Sequence, residues 1–299
     1  MQTALLVGGT GFVGRHMRHS LLPSLKVIAT GHDCDIRDVA KIGNLVKSVS
    51  PDIVVNFASI TTVRESFQDP LDTYRIGFLG TLNLLMALKE NDFRGRMLNI
   101  SSSEVYGAPS DDLLPINEEA LLRPRGPYSV SKVATEALCY QWSQTEQFEI
   151  VTARPFTHIG PGQSDRFSIS NFAKQIAEIS LGKKPPVIHV GNLHATRDIT
   201  DVRDVVRAYG LLLESGRNGH AYNICSGRET SIKALLIELL EFARLDISVE
   251  QDKSLVRNVE QKRIYGSYEK IRSEMGWDPL IPISQTLVDT FSCWVNELK

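Results

Sequence analysis

Ala4-Leu5-Leu6-Val7-Gly8-Gly9-Thr10-Gly11-Phe12-Val13-Gly14 decides the fold of this 299-residue chain. The apolar run 4–7 reads as a short buried strand, and residues 15–22 carry a helical pattern. Between them stand Gly8, Gly11 and Gly14. Glycines at these places permit a tight turn, close backbone approach to a ligand, and close helix–strand packing. Alone, such a triplet is a weak signal. Set between a first strand and a first helix, it predicts a phosphate cradle with a dinucleotide pyrophosphate at the helix N-terminus. Gly8, Thr10, Gly11, Phe12, Val13 and Gly14 are therefore candidate cofactor contacts, the alternative being a glycine-rich turn that holds nothing.

Outward from that stretch, strand and helix patterns alternate. Residues 26–30 read as a second strand, and the residues just after it should meet an adenosine ribose. There an acid favours NAD and a base favours NADP. Gly31-His32-Asp33 offers a mixed message, so the preference between NADP(H) and NAD(H) stays open. Asp35 and Ile36 look like a loop closing over adenine, unless Asp35 merely caps a helix from Val39. A third strand at 52–57 ends in Asn56-Phe57-Ala58-Ser59, where small residues would let a cofactor pass close, and Phe57 and Ala58 are counted with the cofactor contacts. A long helix follows at 74–91, with Leu79, Leu82, Leu85, Met86 and Leu88 near helical period. Residues 97–100 form a fourth strand that runs into Ser101-Ser102-Ser103-Glu104. A helix at 127–147 leads to a fifth strand at 149–153, ending Arg154-Pro155-Phe156, and Arg154 is counted with the cofactor contacts.

Such alternation predicts an α/β fold, a Rossmann-type doubly wound parallel sheet with helices on both faces. Ligands of these sheets sit at the carboxyl ends of strands. Gly8, Asn56, Ser102 and Phe156 all fall at such ends. After Phe156 the pattern changes: residues 157–163 read as a loop, followed by an amphipathic helix with Phe172, Ile176 and Ile179 that stops near Gly182. Short strands are expected at 187–190 and 220–224. Ser231 should cap a helix to about 242, and Ser284 the last one. The division expected is an NAD(P)-binding domain at 1–156 with a return segment near 198–226. A smaller α/β substrate-binding lobe would comprise 157–197 and 227–299.

Within this frame Pro127-Tyr128-Ser129-Val130-Ser131-Lys132 gains weight. Proline suits the first turn of a helix, and Tyr128 and Lys132 then share a face. A neighbouring cation favours a phenolate, so the spacing predicts a Tyr128 titrating below the usual ~10 and able to move protons near neutral pH. A surface Tyr and Lys at this spacing is also ordinary; the strand ends are what raise the pair above that reading.

Bulk properties narrow the partners. A formal net charge of −2 argues against nucleic acid or an anionic membrane. No stretch approaches the ~20 apolar residues of a membrane helix, and the first residues lack the basic and apolar regions of a signal peptide. Four scattered cysteines without a C-x-x-C pair suit a reducing cytoplasm. Seven histidines show no metal-ligand spacing. A cytoplasmic protein with no metal is the expectation.

Gly8-x-x-Gly11-x-x-Gly14, Ser102, Tyr128-x-x-x-Lys132 and Asp201-Val202-x-Asp204 together resemble the extended short-chain dehydrogenase/reductase family over essentially the whole chain. That resemblance implies Tyr128 as general acid/base, Lys132 on the nicotinamide ribose, and Ser102 on the reacting oxygen of the substrate. Phe156-Thr157-His158-Ile159-Gly160-Pro161-Gly162-Gln163, Val190-Gly191-Asn192-Leu193 and the stretch from Arg197 to Asp204 are similar to bacterial GDP-4-keto-6-deoxy-D-mannose reductases, which form GDP-D-rhamnose. So are Arg257-x-x-Glu260 and Gly276-Trp277-Asp278-Pro279. By this resemblance a GDP-linked sugar is the substrate. Ser103, Thr157, His158, Val190, Asn192, Arg197, Arg257 and Glu260 would then contact it, the arginines on phosphate or ribose. The chain departs from the family pattern at Gly77 and Thr157, where Asn is usual, at Asn258 for Pro, and at His32 for Arg. Ser102-Ser103-Glu104 also resembles the triplet of GDP-mannose 4,6-dehydratases, in which Glu104 would be catalytic. An epimerase and a binding-only protein are the further alternatives. The helices 74–91 and 127–147 match those that join two subunits through four helices in this family, so a homodimer is implied. Leu138 and Trp142 belong either to that seam or to the sheet-facing core.

Overall fold

The computed structural model describes residues 1–21, 24–31, 33–60, 62–255 and 263–299. The candidate site residues His32, Arg257 and Glu260 lie outside them. The first half alternates β1 (Thr3–Val7), α1 (Phe12–Leu21), β2 (Lys26–Ala29), α2 (Val39–Val49), β3 (Ile53–Asn56), α3 (Val63–Gln68), α4 (Pro70–Tyr74), α5 (Gly80–Glu90), β4 (Arg96–Ile100), α6 (Pro127–Thr145) and β5 (Glu149–Pro155). The second half runs β6 (Thr157–Ile159), α7 (Ser168–Ser180), β7 (Val187–Val190), β8 (Thr196–Asp201), α8 (Val202–Ser215), β9 (Ala221–Ile224), β10 (Glu229–Ser231), α9 (Ile232–Ala243), β11 (Ser248–Gln251), α10 (Glu269–Met275) and α11 (Ile283–Leu298).

Six parallel strands form the central sheet in the order β2-β1-β3-β4-β5-β9. Successive residues of a strand point to opposite faces, and here both faces are covered. Leu6, Val55, Leu98 and Val151 meet Met17 of α1 and Val205, Tyr209 and Leu212 of α8 on one side. Leu5, Val7, Val54 and Met97 meet Ile42 of α2, Leu84 and Leu88 of α5 and Cys139 of α6 on the other. This is why the strands read as continuous apolar runs rather than alternating ones. The doubly wound parallel sheet is as expected, and β9 returns to it from the second half, pairing Ala153 with Tyr222.

Several local expectations differ. Residues 157–163 begin not as loop but as β6, parallel to β8 with Thr157 opposite Ile199; three residues are too few to show a period. The last helix starts at Ile283 after Pro282, so Ser284 is inside it rather than its cap. Asp38, not Asp35, caps α2, accepting from the Lys41 amide at 3.0 Å. Leu138 and Trp142 pack against the sheet-facing core, which favours that half of their alternative. No described helix is long and apolar enough to cross a membrane.

The expected helix 74–91 is interrupted by a π-helical segment, Arg75–Leu79. Gly77 sits in its middle against α6, where a Cβ would come within 2.1 Å of Ser131 Oγ. Its carbonyl accepts from Thr81 Oγ1 at 2.6 Å and from Thr135 Oγ1 at 3.2 Å. Thr81 Oγ1 in turn accepts from Asn56 Nδ2 at 2.9 Å, so this contact reaches the end of β3. Gly77→Ala should destabilise by about 1 kcal/mol, overpacking against Ser131 outweighing the better helix propensity. Adding Ser131→Ala should restore the melting temperature. Thermal unfolding of single and double variants checks this; additive losses would refute it.

Candidate active site

The glycine turn has the geometry the sequence asks of it. Gly8 is left-handed at φ +74°, and a Cβ there would meet Ala58 N at 3.0 Å. A Cβ on Gly14 would strike the Gly9 carbonyl oxygen at 2.3 Å, so α1 packs as close to the turn as glycine permits. At Gly11 a Cβ would touch only the Gly8 oxygen, at 3.6 Å. The turn is thus held tightly from below and open at Gly11, at the start of α1 where helix amides favour an anion. These residues fit a dinucleotide pyrophosphate.

Around the turn, Thr10 lies over Gly31, and Val13 packs on the core below the sheet. The Phe12 ring stacks on His158 at 6.2 Å and 8°, which ties the glycine turn to β6. Beneath the neighbouring strand end, Ala58 N donates to Asn56 Oδ1 at 3.2 Å, and Phe57 lies 6.3 Å from Tyr209. At the end of β2, Asp33 is turned to the Gly31 amide at 2.7 Å. Arg37 is held by Asp35 and Asp72. The same fork keeps the Asp35 carboxyl down at about 2. Ile36 corrects an expectation: only 3% exposed, it packs against α5, where a Cβ on Gly80 would meet its Cγ2 at 2.4 Å. Its side chain belongs to the core rather than to an adenine contact.

On α6, Pro127 occupies the first turn and the Gly126 amide donates to Ser129 Oγ at 3.1 Å, so the helix starts where the sequence predicts. Ser102 caps the 3₁₀ turn Ser103–Tyr106, accepting from Glu104 N at 3.2 Å, and also hydrogen-bonds the Tyr128 phenol. Lys132 Nζ donates to the Ile100 carbonyl at 2.7 Å and stands 5.7 Å from the centre of the Tyr128 ring. An ammonium carries three donors, and that one bond leaves the chemistry of a ribose diol well matched. Tyr128, Ser102, Glu104 and Lys132 are therefore brought together.

The direction of the tyrosine's titration reverses the expectation. Burial pushes the phenol up to about 12; the Ser102 hydrogen bond works against this, and the Glu104 charge adds to it. Lys132, itself 6% exposed, is drawn down to about 8 by burial, with Glu136 opposing. The cation is directed at Ile100 rather than at the phenol oxygen. At neutral pH Tyr128 is protonated, the state of a proton donor.

Arg154 also departs from its assignment. It is 7% exposed and forks onto Glu136 of α6 at 2.7 and 3.1 Å, while Nη1 donates to Tyr106 Oη at 2.9 Å and to the Glu118 carbonyl at 3.1 Å. It serves a buried network rather than a cofactor. A cavity of about 290 Å³ lined in part by Leu122, Val133, Ala137 and Tyr140 ends on this ion pair and includes neither Tyr128 nor Ser102. Glu136 was missed by sequence reasoning, although an acid four residues beyond Lys132 inside a helix was a usable signal.

In the second half, Thr157 is exposed and His158 half-buried, its Nδ1 bonded to the Phe156 carbonyl at 2.9 Å. Since a carbonyl only accepts, Nδ1 carries the proton, and burial lowers the ring's pKa. Gln163 Nε2 donates to the His158 carbonyl at 3.0 Å. Ser103 is 8% exposed behind Ser102. Asn192 Oδ1 accepts from His194 N at 2.9 Å, and Arg197 Nη1 donates to the Thr196 carbonyl at 2.8 Å. Val190 is 1% exposed in the core of α7, α9 and α11. Its carbonyl accepts from Asp252 N at 2.9 Å, so its expected place beside a base does not hold for the side chain.

The family model described as GDP-mannose 4,6 dehydratase matches residues 24–290. The chain belongs to this family. The chain is similar to GDP-6-deoxy-D-mannose reductase from Pseudomonas aeruginosa, with 40% identity over 100% of its own length and 99% of the relative's. GDP-mannose 4,6-dehydratase from Yersinia enterocolitica is more distant, at 24% identity over 90% of the chain and 79% of the relative. The solved structure of RMD from Pseudomonas aeruginosa complexed with NADPH superposes with a TM-score of 0.93 at 41% identity, covering 99% of this chain and 100% of that one.

Proposed function

We propose that this chain is an NAD(P)H-dependent oxidoreductase that reduces the 4-keto group of GDP-4-keto-6-deoxy-D-mannose, yielding GDP-D-rhamnose. The observation that carries the reading is the cluster itself: Tyr128 beside Ser102, with Lys132 5.7 Å from its ring and anchored to the Ile100 carbonyl at 2.7 Å, in a setting where burial favours the neutral phenol. A reduction needs a donor for the carbonyl oxygen. A dehydratase or epimerase must begin by oxidising its sugar, which calls for a base at the same place. The full-length similarity to GDP-6-deoxy-D-mannose reductase supports the same choice.

In this reading the glycine turn holds the pyrophosphate, and Lys132 holds the nicotinamide ribose. When bound, the reduced nicotinamide supplies the hydride. Ser102 Oγ hydrogen-bonds the C4 oxygen and fixes it beside Tyr128. Tyr128 Oη delivers its proton to that oxygen as the carbonyl becomes a hydroxyl, and the Lys132 charge stabilises the phenolate left behind. Glu104, whose charge favours the protonated phenol, keeps the donor loaded. Thr157, His158, Asn192, Arg197, Arg257 and Glu260 are assigned to the sugar nucleotide. The domain at 1–156 with its return segment carries the cofactor, and the lobe of 157–197 and 227–299 carries the substrate.

A homodimer belongs to the same proposal. Leu79 and Met86, seven residues apart, are 46% and 40% exposed, and on α6 Val130 and Tyr140 are 39% and 59% exposed. These are the helices that pair in the family resembled. Light scattering should return twice the 33.3 kDa chain mass; only the single mass would refute the dimer.

The test of the function is to mix the protein with GDP-4-keto-6-deoxymannose and NADH or NADPH, following nicotinamide absorbance. Both cofactors are run because Asp33 is engaged by Gly31 and Arg37 by two carboxylates. No oxidation with either cofactor sinks the reading. Formation of the keto sugar from GDP-mannose without added reductant would install the dehydratase instead.

A further inference from the structure

We infer that Glu136 is a positioning residue for the proton-donor site: its carboxylate braces the strand end that carries Ser102 and holds the charge on Lys132. The inference rests on the roles proposed above for Tyr128, Ser102 and Lys132.

Tyr128, Lys132 and Glu136 recur every four residues on α6, so the three side chains follow one another along one face. Glu136 is 8% exposed. Its Oε1 accepts a short hydrogen bond from Ser101 Oγ. Ser101 is flanked by Ile100, whose carbonyl holds Lys132 Nζ at 2.7 Å, and by Ser102. One carboxylate therefore grips the residue between the anchor of Lys132 and the hydroxyl that meets Tyr128. Arg154, arriving from β5, forks onto both oxygens of Glu136 and fixes its rotamer. Arg154 is itself held by Tyr106 and the Glu118 carbonyl.

The electrostatics follow from burial. A lysine removed from water loses its proton readily unless an opposite charge stands near. The groups that face Lys132 are Tyr128, Glu136 and Cys139 of its own helix and, through Glu136, Arg154 of β5; Glu104 acts on Tyr128 from the 3₁₀ turn. Of these Glu136 supplies the negative charge that favours the ammonium, and its effect leaves Lys132 at about 8 rather than lower. Burial pushes the Tyr128 phenol up and draws Lys132 down to about 8, so an alkaline fall in activity is expected to follow Lys132. The sign follows: without the Glu136 charge, Lys132 deprotonates at lower pH.

The test compares Glu136→Gln, Glu136→Asp and Glu136→Gln/Arg154→Met. Two readouts are taken: the pH profile of kcat/KM, and the titration of the Lys132 Cε resonance in 13C-lysine-labelled protein without cofactor, assigned with Lys132→Arg. In Glu136→Gln both the alkaline limb and the resonance midpoint should fall by about one pH unit or more. Glu136→Asp keeps the charge and should hold the midpoint while kcat drops, since the shorter side chain no longer braces Ser101. If Glu136→Gln does not fold, the double variant decides by the same resonance, with a smaller fall because a positive charge leaves too. A midpoint unchanged in the folded Gln variant overturns the inference, even if Tm and kcat both fall. Should the wild-type protein fail to reduce the keto sugar, the functional reading falls while the resonance titration still decides the role of Glu136.

Discussion

Tyr128→Phe should lower kcat for reduction of the keto sugar by about 10²- to 10⁴-fold, the range of a positioned proton donor. The substitution removes one oxygen and leaves the ring, which continues to lie beside the Lys132 chain. Ser102 keeps its bond from Glu104 N, and Lys132 keeps its bond to Ile100, so the frame persists. Affinity for the cofactor should change little, because the glycine turn and Lys132 are untouched. The loss should appear in kcat rather than in KM, as for an interaction made as charge develops on the carbonyl oxygen. Its pH dependence separates donor from base. With the phenol titrating near 12, the wild-type rate carries no tyrosine limb around neutrality, whereas a phenolate base would gain activity steadily as pH rises. Stopped-flow absorbance of the nicotinamide at several pH values measures both. A Phe variant with undiminished kcat would remove Tyr128 from the chemistry and leave a binding protein or another donor.

What the sequence could and could not foretell divides along physical lines. The glycine turn was legible because Gly8 needs positive φ and Gly14 has no room for a Cβ; each requirement restricts the residue type itself. The strands were legible because a sheet buried on both faces demands unbroken apolar runs. The start of α6 at Pro127 was legible from local chemistry. By contrast, Ile36 and Val190 read as ligand contacts but are core residues, since burial depends on what α5 and α7 bring to them. The π-helical segment at Arg75–Leu79 left no trace in the helical period, and Ser131, against which its Gly77 packs, lies more than fifty residues away. The Tyr128 titration went the other way for a related reason. Spacing alone puts a cation beside a phenol, but the direction of the shift depends on how much water both have lost and on where the lysine points. Arg154 is the clearest instance: at the end of β5 it looks available to a cofactor, and only the fold delivers Glu136, Tyr106 and the Glu118 carbonyl to it.

Arg154→Met should cost about 3–5 kcal/mol of stability, because it leaves the Glu136 carboxylate buried without its partner. For a chain of this size that corresponds to a fall in Tm of roughly 5–8 °C. The methionine fills much of the arginine's volume, so the loss is electrostatic more than steric, and pH should expose it. In the variant the Glu136 carboxylate is left buried with no guanidinium to offset its charge, a penalty that falls on the charged form alone. A group whose folded pKa is raised gives up stability as pH climbs through that folded value. The deficit against wild type should therefore be smallest under mildly acid conditions and grow toward pH 8. Neutralising the partner as well, in Glu136→Gln/Arg154→Met, should recover most of the loss, since a buried pair replaced whole is far less harmful than one cut in half. Thermal unfolding of the three proteins at pH 5 and pH 8 makes the measurement. If Arg154→Met melts with the wild type and instead binds NADPH less tightly, the guanidinium serves the cofactor after all. Glu136 would then have to owe its fixed place beneath Lys132 to Ser101 alone.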